Sequence, residues 1–243
     1  MRKIADKQPA KRKPSPGKSP SGNSPSGNSS APEAAAPRRR GRIPGNTREN
    51  LLKAAIKTFA EQGFDGTPVQ RISRVARSND RMLYYYFGSK EKLFTEALET
   101  IYREMWDAES ALDLDFSDPV GALRRVVDFT MDHYLGHLEM VTLLNTENLH
   151  KGRHVSKSRK LKEVSSPALN LTARILDAGV KKGVFRSGVA PQHLYVSILA
   201  LNYFYVSNRY TLSAFLGTDL LEAAHLKDWR EWVAEAVLRS VKK

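Results

Sequence analysis

A short run of polar and aromatic residues in the first half of the chain could contact nucleic acid. Its candidate contacts are Asp80, Arg81, Met82, Tyr84 and Tyr85. Arginine can donate two hydrogen bonds to a guanine edge, aspartate can accept one from cytosine N4, and tyrosine hydroxyls can reach phosphates. The run therefore predicts a helix that reads a DNA groove. The alternative is an ordinary helical hairpin with a charged outer face.

The reading helix must be held on a scaffold. Helical spacing places Leu83, Tyr86 and Phe87 on its inner side, where we expect them to anchor it. Asn79 precedes the helix and is expected to cap its first turn, while also lying close enough to DNA to contact it. The sequence thus predicts a helix with one buried side and one side turned outward.

Two short helices are expected to precede the reading helix. The first should begin at Asn46 or Thr47, where Glu49 is placed to complete a capping box. The second should begin after a cap at Thr67, with Gln70 in the matching position three residues later. Three closely spaced helices of this kind predict a helix-turn-helix domain.

The rest of the chain also follows helical patterns, and no stretch is a convincing strand. A fourth helix should start at Ser89, and a fifth at Asp118-Pro119. Later helices are predicted over residues 140–149, 166–182, 191 to about 216, and 228–241. We therefore predict an all-α protein, divided into a tail (1–45), a helix-turn-helix DNA-binding domain (46–93) and a helical effector-binding and dimerisation domain (94–243).

Positive charge is concentrated before the predicted DNA-binding domain. The formal net charge of the chain is +13, and residues 1–45 contain eleven basic side chains against two acidic ones. This segment is rich in Pro, Ser and Gly and repeats SPSGN, so we expect it to be disordered. The basic run at its end, which includes Arg42, could lie along phosphates or enter a minor groove, as flexible basic arms do beside helical readers. A solubilising tail is the alternative.

Composition excludes several classes of protein. The absence of cysteine excludes a disulfide framework, a thiol nucleophile and a thiolate metal site. The most apolar stretch, residues 194–206, is shorter than the roughly 20 residues that a membrane-spanning helix needs. No Gly-x-Ser-x-Gly elbow or phosphate-binding glycine loop is present. We expect a cytoplasmic protein that is not an enzyme, does not enter a membrane and needs no cofactor.

Several motifs resemble those of the tetracycline-repressor (TetR/AcrR) family. The similarity covers Thr47 to about Leu98 and consists of FAEQGF at 59–64, Gly66-Thr67, Ile72 with Ala76, and LYYYFGSKE at 83–91. It implies a homodimeric transcriptional regulator in the bacterial nucleoid, usually a repressor. Its N-terminal domain would bind a palindromic operator in double-stranded DNA, and its C-terminal domain would bind a small effector that lowers DNA affinity.

The resemblance also implies roles for individual residues. Thr67 and Gln70 should touch the phosphate backbone or a neighbouring base. Asp80, Arg81 and Met82 should contact bases. The phosphate contacts should come from Tyr84, Tyr85 and Lys90. Thr47, Asn79 and Arg42 complete the predicted DNA contacts.

The turn between the second and third helices departs from the family pattern. Arg77 stands where the family usually has glycine. A left-handed arginine there would cost on the order of 1 kcal/mol. Asp80 is also unusual at a base-facing position, because it repels nearby phosphates.

Polar residues on otherwise apolar helices predict an effector pocket in the C-terminal half. The candidates are His133, Tyr134, Asn145, Glu147, Asn148, Tyr195, Asn202 and Tyr203. Small-molecule sites are mostly apolar with a few polar groups, which this mixture would supply. Each residue could instead be a surface group or a satisfied polar group in the core.

The helix after Pro191 and the final helix are the predicted dimer interface, paired with their copies in a four-helix bundle. The expected anchors are Trp229, Trp232, Val233 and Val237. Aromatic and aliphatic side chains of this kind dominate the free energy of protein interfaces.

Two histidine pairs with a spacing of four residues could chelate a metal. They are His133 with His137 and His150 with His154. No HExxH motif accompanies them, so we predict no metal site and keep a metal-responsive regulator as a less favoured alternative. A protein that coats DNA without regard to sequence is the main rival to a specific regulator, and an enzyme built on the helical domain is a second.

Overall fold

The computed structural model describes residues 46–164 and 166–243, and this part of the chain folds into helices. Their bounds are α1 Thr47–Gln62, α2 Val69–Val75, α3 Asp80–Phe87, α4 Lys90–Ser110, α5 Pro119–Gly136, α6 Leu138–Leu149, α7 Arg159–Val164, α8 Ser166–Lys181, α9 Pro191–Ser207, α10 Arg209–Leu216 and α11 Ala223–Val241. Within those residues the only β feature is an isolated bridge between Phe185 and Lys242. The all-α prediction is confirmed. The predicted tail and its candidate contact Arg42 lie outside the described residues.

An aromatic cluster joins α1 to α4 beneath the reading helix. The rings of Phe59 and Phe64 each lie 5.0 Å from that of Phe94. Leu83 is fully buried against the same core and Phe87 is 5% exposed. The inner side of α3 is therefore fixed by apolar packing, which leaves its other side free for contacts.

The two predicted capping boxes do not form. The Asn46 amide donates to Glu49 and makes no cap hydrogen bond with the backbone of α1. Helix α2 begins at Val69 rather than at Pro68, and the Thr67 hydroxyl instead donates to the carbonyl oxygens of Thr58 and Gly63, at 3.1 and 2.6 Å. The Thr67 hydroxyl is thus held by a carbonyl within α1 and by that of its C-cap, Gly63, and it does not cap the amides of α2.

The turn between α2 and α3 contains the expected left-handed arginine. Arg77 has a φ of 51°, a region in which a side chain crowds the following carbonyl oxygen. Hydrogen bonds from its own amide to Arg74 and from Ser78 to Ser73 hold the turn in place. The surrounding module thus imposes a conformation that glycine would adopt without strain.

Replacing Arg77 by glycine should stabilise the protein by about 1 kcal/mol relative to Arg77→Ala, because only glycine relieves the left-handed strain. Both variants lose the guanidinium, so the difference between their free energies of unfolding reports the strain of the backbone at this position. Urea unfolding at neutral pH measures it. Equal stability of the two variants would show that this turn is unstrained.

A second hydrophobic core holds the C-terminal helices together. It contains residues from α5, α8, α9 and α11, among them Leu123, Ile175, Ile198, Val233 and Val237. The structure differs from the sequence prediction at one long helix, because α9 ends at Ser207 and α10 starts separately at Arg209. At the break, the side-chain amide of Asn208 donates to the carbonyl oxygen of Phe204. Asparagine side chains commonly compete in this way with the backbone hydrogen bonds of a helix. The short helix α7 was also not predicted.

None of the described helices combines the length and apolar character needed to span a bilayer.

Candidate DNA-binding face and ligand cavity

The outer side of α3 presents polar and aromatic groups to solvent. Arg81 is exposed, as are Tyr84 at 50% and Tyr85 at 76%. The Asn79 side chain accepts a hydrogen bond of 3.0 Å from the Met82 amide, so it caps the helix as predicted. These groups stand on one rigid helix, and Gln70 on α2 is exposed as well.

Several other residues predicted to contact DNA are buried or half-buried. Thr67 has no exposed surface, so the prediction that it touches DNA is wrong for the structure as it stands. Its burial follows from the two hydrogen bonds that hold it against the end of α1. Met82 is half-buried and packs partly against the core. Thr47 and Asp80 are half-buried at the first residues of α1 and α3.

Lys90 lies at the start of α4, where Ser89 caps the helix by accepting from the Lys92 amide at 3.2 Å. The Lys90 ammonium stands 4.6 Å from the centre of the Phe64 ring. Partial burial lowers the pKa of Lys90, and the charge of Asp65 opposes that shift. A cation over an aromatic face beside a helix N-terminus is well placed to receive a phosphate.

The C-terminal half encloses a cavity of about 510 Å³ between α4, α5, α6, α8 and α9. Aromatic side chains form much of its wall: Tyr102, Trp106, Tyr134, Tyr195 and Tyr203. Two side-chain amides of the wall belong to Asn148 and Gln192. The rest of the wall is aliphatic or thioether surface from Met105, Met140, Leu144, Leu169, Val196, Leu199 and Ala200. The volume suits a small organic molecule.

Four of the predicted pocket residues line this cavity: Tyr134, Asn148, Tyr195 and Tyr203. Asn145 stands behind the wall, where it accepts from the Tyr203 hydroxyl at 2.5 Å and from the Ser207 hydroxyl at 3.1 Å. Tyr102 and Trp106 of α4, which also line the cavity, were not among the predicted residues. Their helical spacing is that of an ordinary core stripe, so the sequence contained no signal that distinguishes a cavity wall from a filled core.

The remaining three predicted pocket residues do not line the cavity. Buried Asn202 donates to the Ile198 carbonyl oxygen at 2.8 Å, in its own helix. The ring of buried His133 lies 4.4 Å from that of His137. Glu147 turns toward the loop after α6. All three side chains are buried in the interior of the chain and are absent from the residues that line the cavity.

Glu147 forms a buried clamp with the loop that follows α6. One carboxylate oxygen accepts from the backbone amides of His154 and Val155, at 2.7 and 2.9 Å. The other stands 2.7 Å from His154 Nδ1. Glu147 and His154 are 4% and 3% exposed. We call this set of contacts the Glu147 clamp.

The Glu147 clamp contacts the N-terminal helical domain around the end of α1 and the start of α4, which we call the DNA-binding half. The His154 ring lies 5.1 Å from that of Phe64 and 4.9 Å from that of Phe94. His150 Nε2 stands 3.2 Å from a carboxylate oxygen of Asp65, just after α1. The second histidine pair is thus engaged in contacts between the two halves. In the described ranges, His, Asp and Glu form no group of three or more suited to hold a metal ion.

Acid should destabilise the protein through His133. Burial, with a smaller contribution from neighbouring His137, lowers the pKa of His133 to about 4. The unfolded chain therefore takes up this proton first, and stability is lost as the pH falls from about 6.5 toward 4. Because one pKa unit corresponds to about 1.4 kcal/mol, the loss should be about 2–3 kcal/mol.

Urea unfolding of a His133→Gln variant from pH 7 to pH 4 tests this expectation. The variant should lose less stability than the parent chain over that range, whereas His193→Gln, at an exposed position, should follow the parent. Identical pH profiles for the parent and the His133 variant would contradict it.

The predicted dimer anchors separate into two pairs. Val233 and Val237 are 0% and 2% exposed in the core of their own chain, so they are not free to contact a second copy, and that prediction is wrong. Trp232 is 56% exposed. Trp229 is half-buried, and its ring stacks on those of Tyr205 and Trp232 with centroids 4.7 and 5.1 Å away. Helix α11 thus turns its valines inward and Trp232 outward.

Trp232 is one of several exposed apolar side chains on α9, α10 and α11. We call this set of residues the apolar face: Val196, which also lines the cavity, with Phe204, Tyr210, Phe215, Leu216 and Trp232, each between 56% and 84% exposed. A groove of about 410 Å³ runs through it beside Phe204, Leu216 and Trp232. Exposed apolar surface of this kind typically marks a site of association.

Comparison with known proteins agrees with this architecture. Residues 51–97 match the family described as "Bacterial regulatory proteins, tetR family", and residues 119–237 match "Tetracyclin repressor-like, C-terminal domain". The "HTH-type transcriptional repressor NicS" of Pseudomonas putida is 48% identical over 81% of this chain and 93% of its own length.

More distant proteins share the same organisation. The "HTH-type transcriptional regulator RutR" of Escherichia coli is 24% identical over 84% of this chain and 94% of its own. The crystal structure of the "putative transcriptional regulator SCO4942" from Streptomyces coelicolor superimposes with a TM-score of 0.61 at 21% identity, covering 80% and 98% of the two chains. The latter likeness shows the fold alone.

Proposed function

Because this chain belongs to the TetR family of bacterial transcriptional regulators, we propose that it is a repressor in which α3 enters the major groove of a palindromic operator. The exposed Arg81, Tyr84 and Tyr85 on a helix anchored by Leu83 and Phe87 carry this assignment of contacts. Arg81 would contact a base edge, and the tyrosines would contact phosphates. A regulator of transcription acts at the chromosome, which supports a cytoplasmic, nucleoid-associated location.

A gel shift on the promoter of its own gene, with scrambled duplex as competitor, tests the proposal. A specific regulator should prefer its site by roughly 10³-fold or more at physiological salt. Equal affinity for unrelated duplexes, with a steep salt dependence, would instead support a protein that coats DNA without regard to sequence.

The roles proposed for Arg81 and Lys90 predict different behaviour of their variants. Arg81→Ala should cost about 1–3 kcal/mol of operator binding and relax base preference at one position. Lys90→Gln should weaken binding to all sequences alike and reduce the salt slope by about one. Titrations of operator and scrambled duplex at several salt concentrations separate the two. If both variants weakened all sequences equally, Arg81 would not be a base contact.

We propose that the cavity binds the effector and that α6 carries its effect to the DNA-binding half. Met140, Leu144 and Asn148 of α6 form part of the cavity wall. One residue before Asn148, the same helix carries the Glu147 clamp, whose His154 ring packs on Phe64. An effector that displaces α6 would therefore act on the core beneath α3 and Lys90. It would favour a form in which the reading helices do not fit successive grooves.

We propose that the apolar face forms the homodimer interface. Isologous pairing about a twofold axis would bury this surface and set two copies of α3 in the arrangement that a palindrome requires. The groove beside Trp232 offers a place for an aromatic side chain of the partner subunit.

A further inference from the structure

A buried carboxyl group near the cavity has no function in the contacts described so far. Glu109, near the end of α4, is 2% exposed. Its Oε2 atom is buried and finds no hydrogen-bond partner among the described residues. An unpaired buried carboxylate oxygen costs free energy, so a protein that retains one commonly uses it.

Glu109 shares a helix face with part of the cavity wall. Met105 and Trp106, which line the cavity, precede it by four and three residues, and this spacing places them on one side of α4. The charge of Glu109 also acts on the hydroxyls of Tyr134 and Tyr195, two further wall residues, and contributes to raising the pKa of both. Glu109 is not itself a lining residue, but it lies one helical turn from Met105 and Trp106, so its charge is within electrostatic reach of a molecule in the cavity.

Among the side chains that the structure describes, no positive charge is found to balance Glu109. Burial raises its pKa to about 7, and no neighbouring cation opposes that shift. None of the described residues that line the cavity is charged. A ligand with a carboxylate would meet this buried acid without any cation to balance it, whereas a ligand with an ammonium group would provide the missing partner.

The aromatic wall favours the same kind of ligand. The rings of Tyr102 and Trp106 stack at 5.2 Å, and those of Tyr134 and Tyr203 meet edge to face at 5.6 Å. Such faces attract both flat apolar molecules and organic cations. Asn148 and Gln192 add neutral hydrogen-bonding groups that suit either kind of ligand.

We propose that the effector is a small, mainly apolar or aromatic molecule with one protonated amine or comparable cationic nitrogen, and that Glu109 is its counter-charge. This inference rests on the proposed function of the cavity and specifies the chemical class of its ligand. It assigns Glu109, which the sequence analysis did not select, a direct part in specificity.

Three probes of similar shape and different charge test the proposal: 1-naphthylmethylamine, 1-naphthylmethanol and 1-naphthoic acid. Calorimetric titration of the full chain at pH 7.5 should show the amine binding about tenfold or more tightly than the alcohol, with the acid weakest, because a buried carboxylate attracts a nearby cation and repels an anion where water screens the charges poorly. Glu109→Gln, which keeps the shape of the side chain, should abolish the preference and leave alcohol binding unchanged.

A positional control is Glu104→Gln, an exposed acid on the same helix, which should retain the preference for the amine. Thermal unfolding of each variant verifies that it is folded. Equal or tighter binding of the alcohol or the acid, failure of all three probes to bind, or an amine preference that survives in Glu109→Gln would overturn the inference. Binding of the operator without ligand is measured separately. The proposed function as a DNA-binding regulator is therefore tested independently of the proposed class of effector.

Discussion

Replacing Glu147 by alanine should destabilise the protein by about 3–5 kcal/mol, because it removes the hydrogen-bond acceptor of several buried groups at once, and each donor left unpaired costs about 1–3 kcal/mol. The variant would leave two backbone amides and the His154 ring without their acceptor in a site that water does not reach. Leaving buried donors unpaired costs more than the net contribution of the hydrogen bonds themselves. Urea unfolding monitored by circular dichroism measures the loss.

Two controls identify the cause. Glu147→Gln keeps one acceptor oxygen for the backbone amides and should lose only about 1–2 kcal/mol. Leu149→Ala, at an 83% exposed position of the same helix, should change stability by about 0.5 kcal/mol or less. If Glu147→Ala lost less than 1 kcal/mol, the clamp would not hold the loop after α6. The proposed connection between the cavity and the DNA-binding half would then lose its physical basis.

Trp232→Glu should convert the proposed dimer to monomers and lower operator affinity by about 100-fold or more. A buried charge at the centre of an apolar interface costs several kcal/mol, and tryptophan is a typical residue at such centres. A monomer also presents one reading helix rather than two to a palindrome, which removes the gain from simultaneous contact. Light scattering gives the mass in solution, and gel shifts give the affinity.

The matched control for this experiment is Leu149→Glu, which places the same charge on an exposed apolar residue of α6. It should remain dimeric and bind the operator. Phe204→Glu, on α9 but within the same apolar face, should behave like the Trp232 variant. A dimer that persists in both Trp232→Glu and Phe204→Glu would place the interface on another surface.

Local patterns predicted the framework of the protein because they depend on neighbouring residues. Asn79 caps α3 as predicted, and α4 and α5 begin at the predicted places, where the side chains of Ser89 and Asp118 also accept a backbone hydrogen bond. Leu83 and Phe87 are buried as their spacing requires. The caps follow from local geometry, and helical spacing shows which side of α3 is apolar, although the burial of that side also requires the core formed by α1 and α4.

The failures concern side chains that had two possible partners. Thr67 has the sequence position of a helix cap, but the end of α1 lies close enough to take its hydroxyl. Val233 and Val237 form an apolar stripe that fits a dimer as well as a monomer core, and the core of their own chain contains them. Periodicity shows which face of a helix is apolar, and it does not show what covers that face.

The sequence alone determined that the described part of the chain is helical, where most of its helices begin, and that Arg81, Tyr84 and Tyr85 of α3 turn outward. Tertiary structure decided that α4 contributes aromatic rings to a cavity, that Glu147 closes a clamp over the DNA-binding half and that Glu109 is buried without a partner. The physical reason is the separation along the sequence of the residues that interact. Hydrogen bonds within a turn are set by residues three or four positions apart, whereas burial depends on helices far apart in the chain.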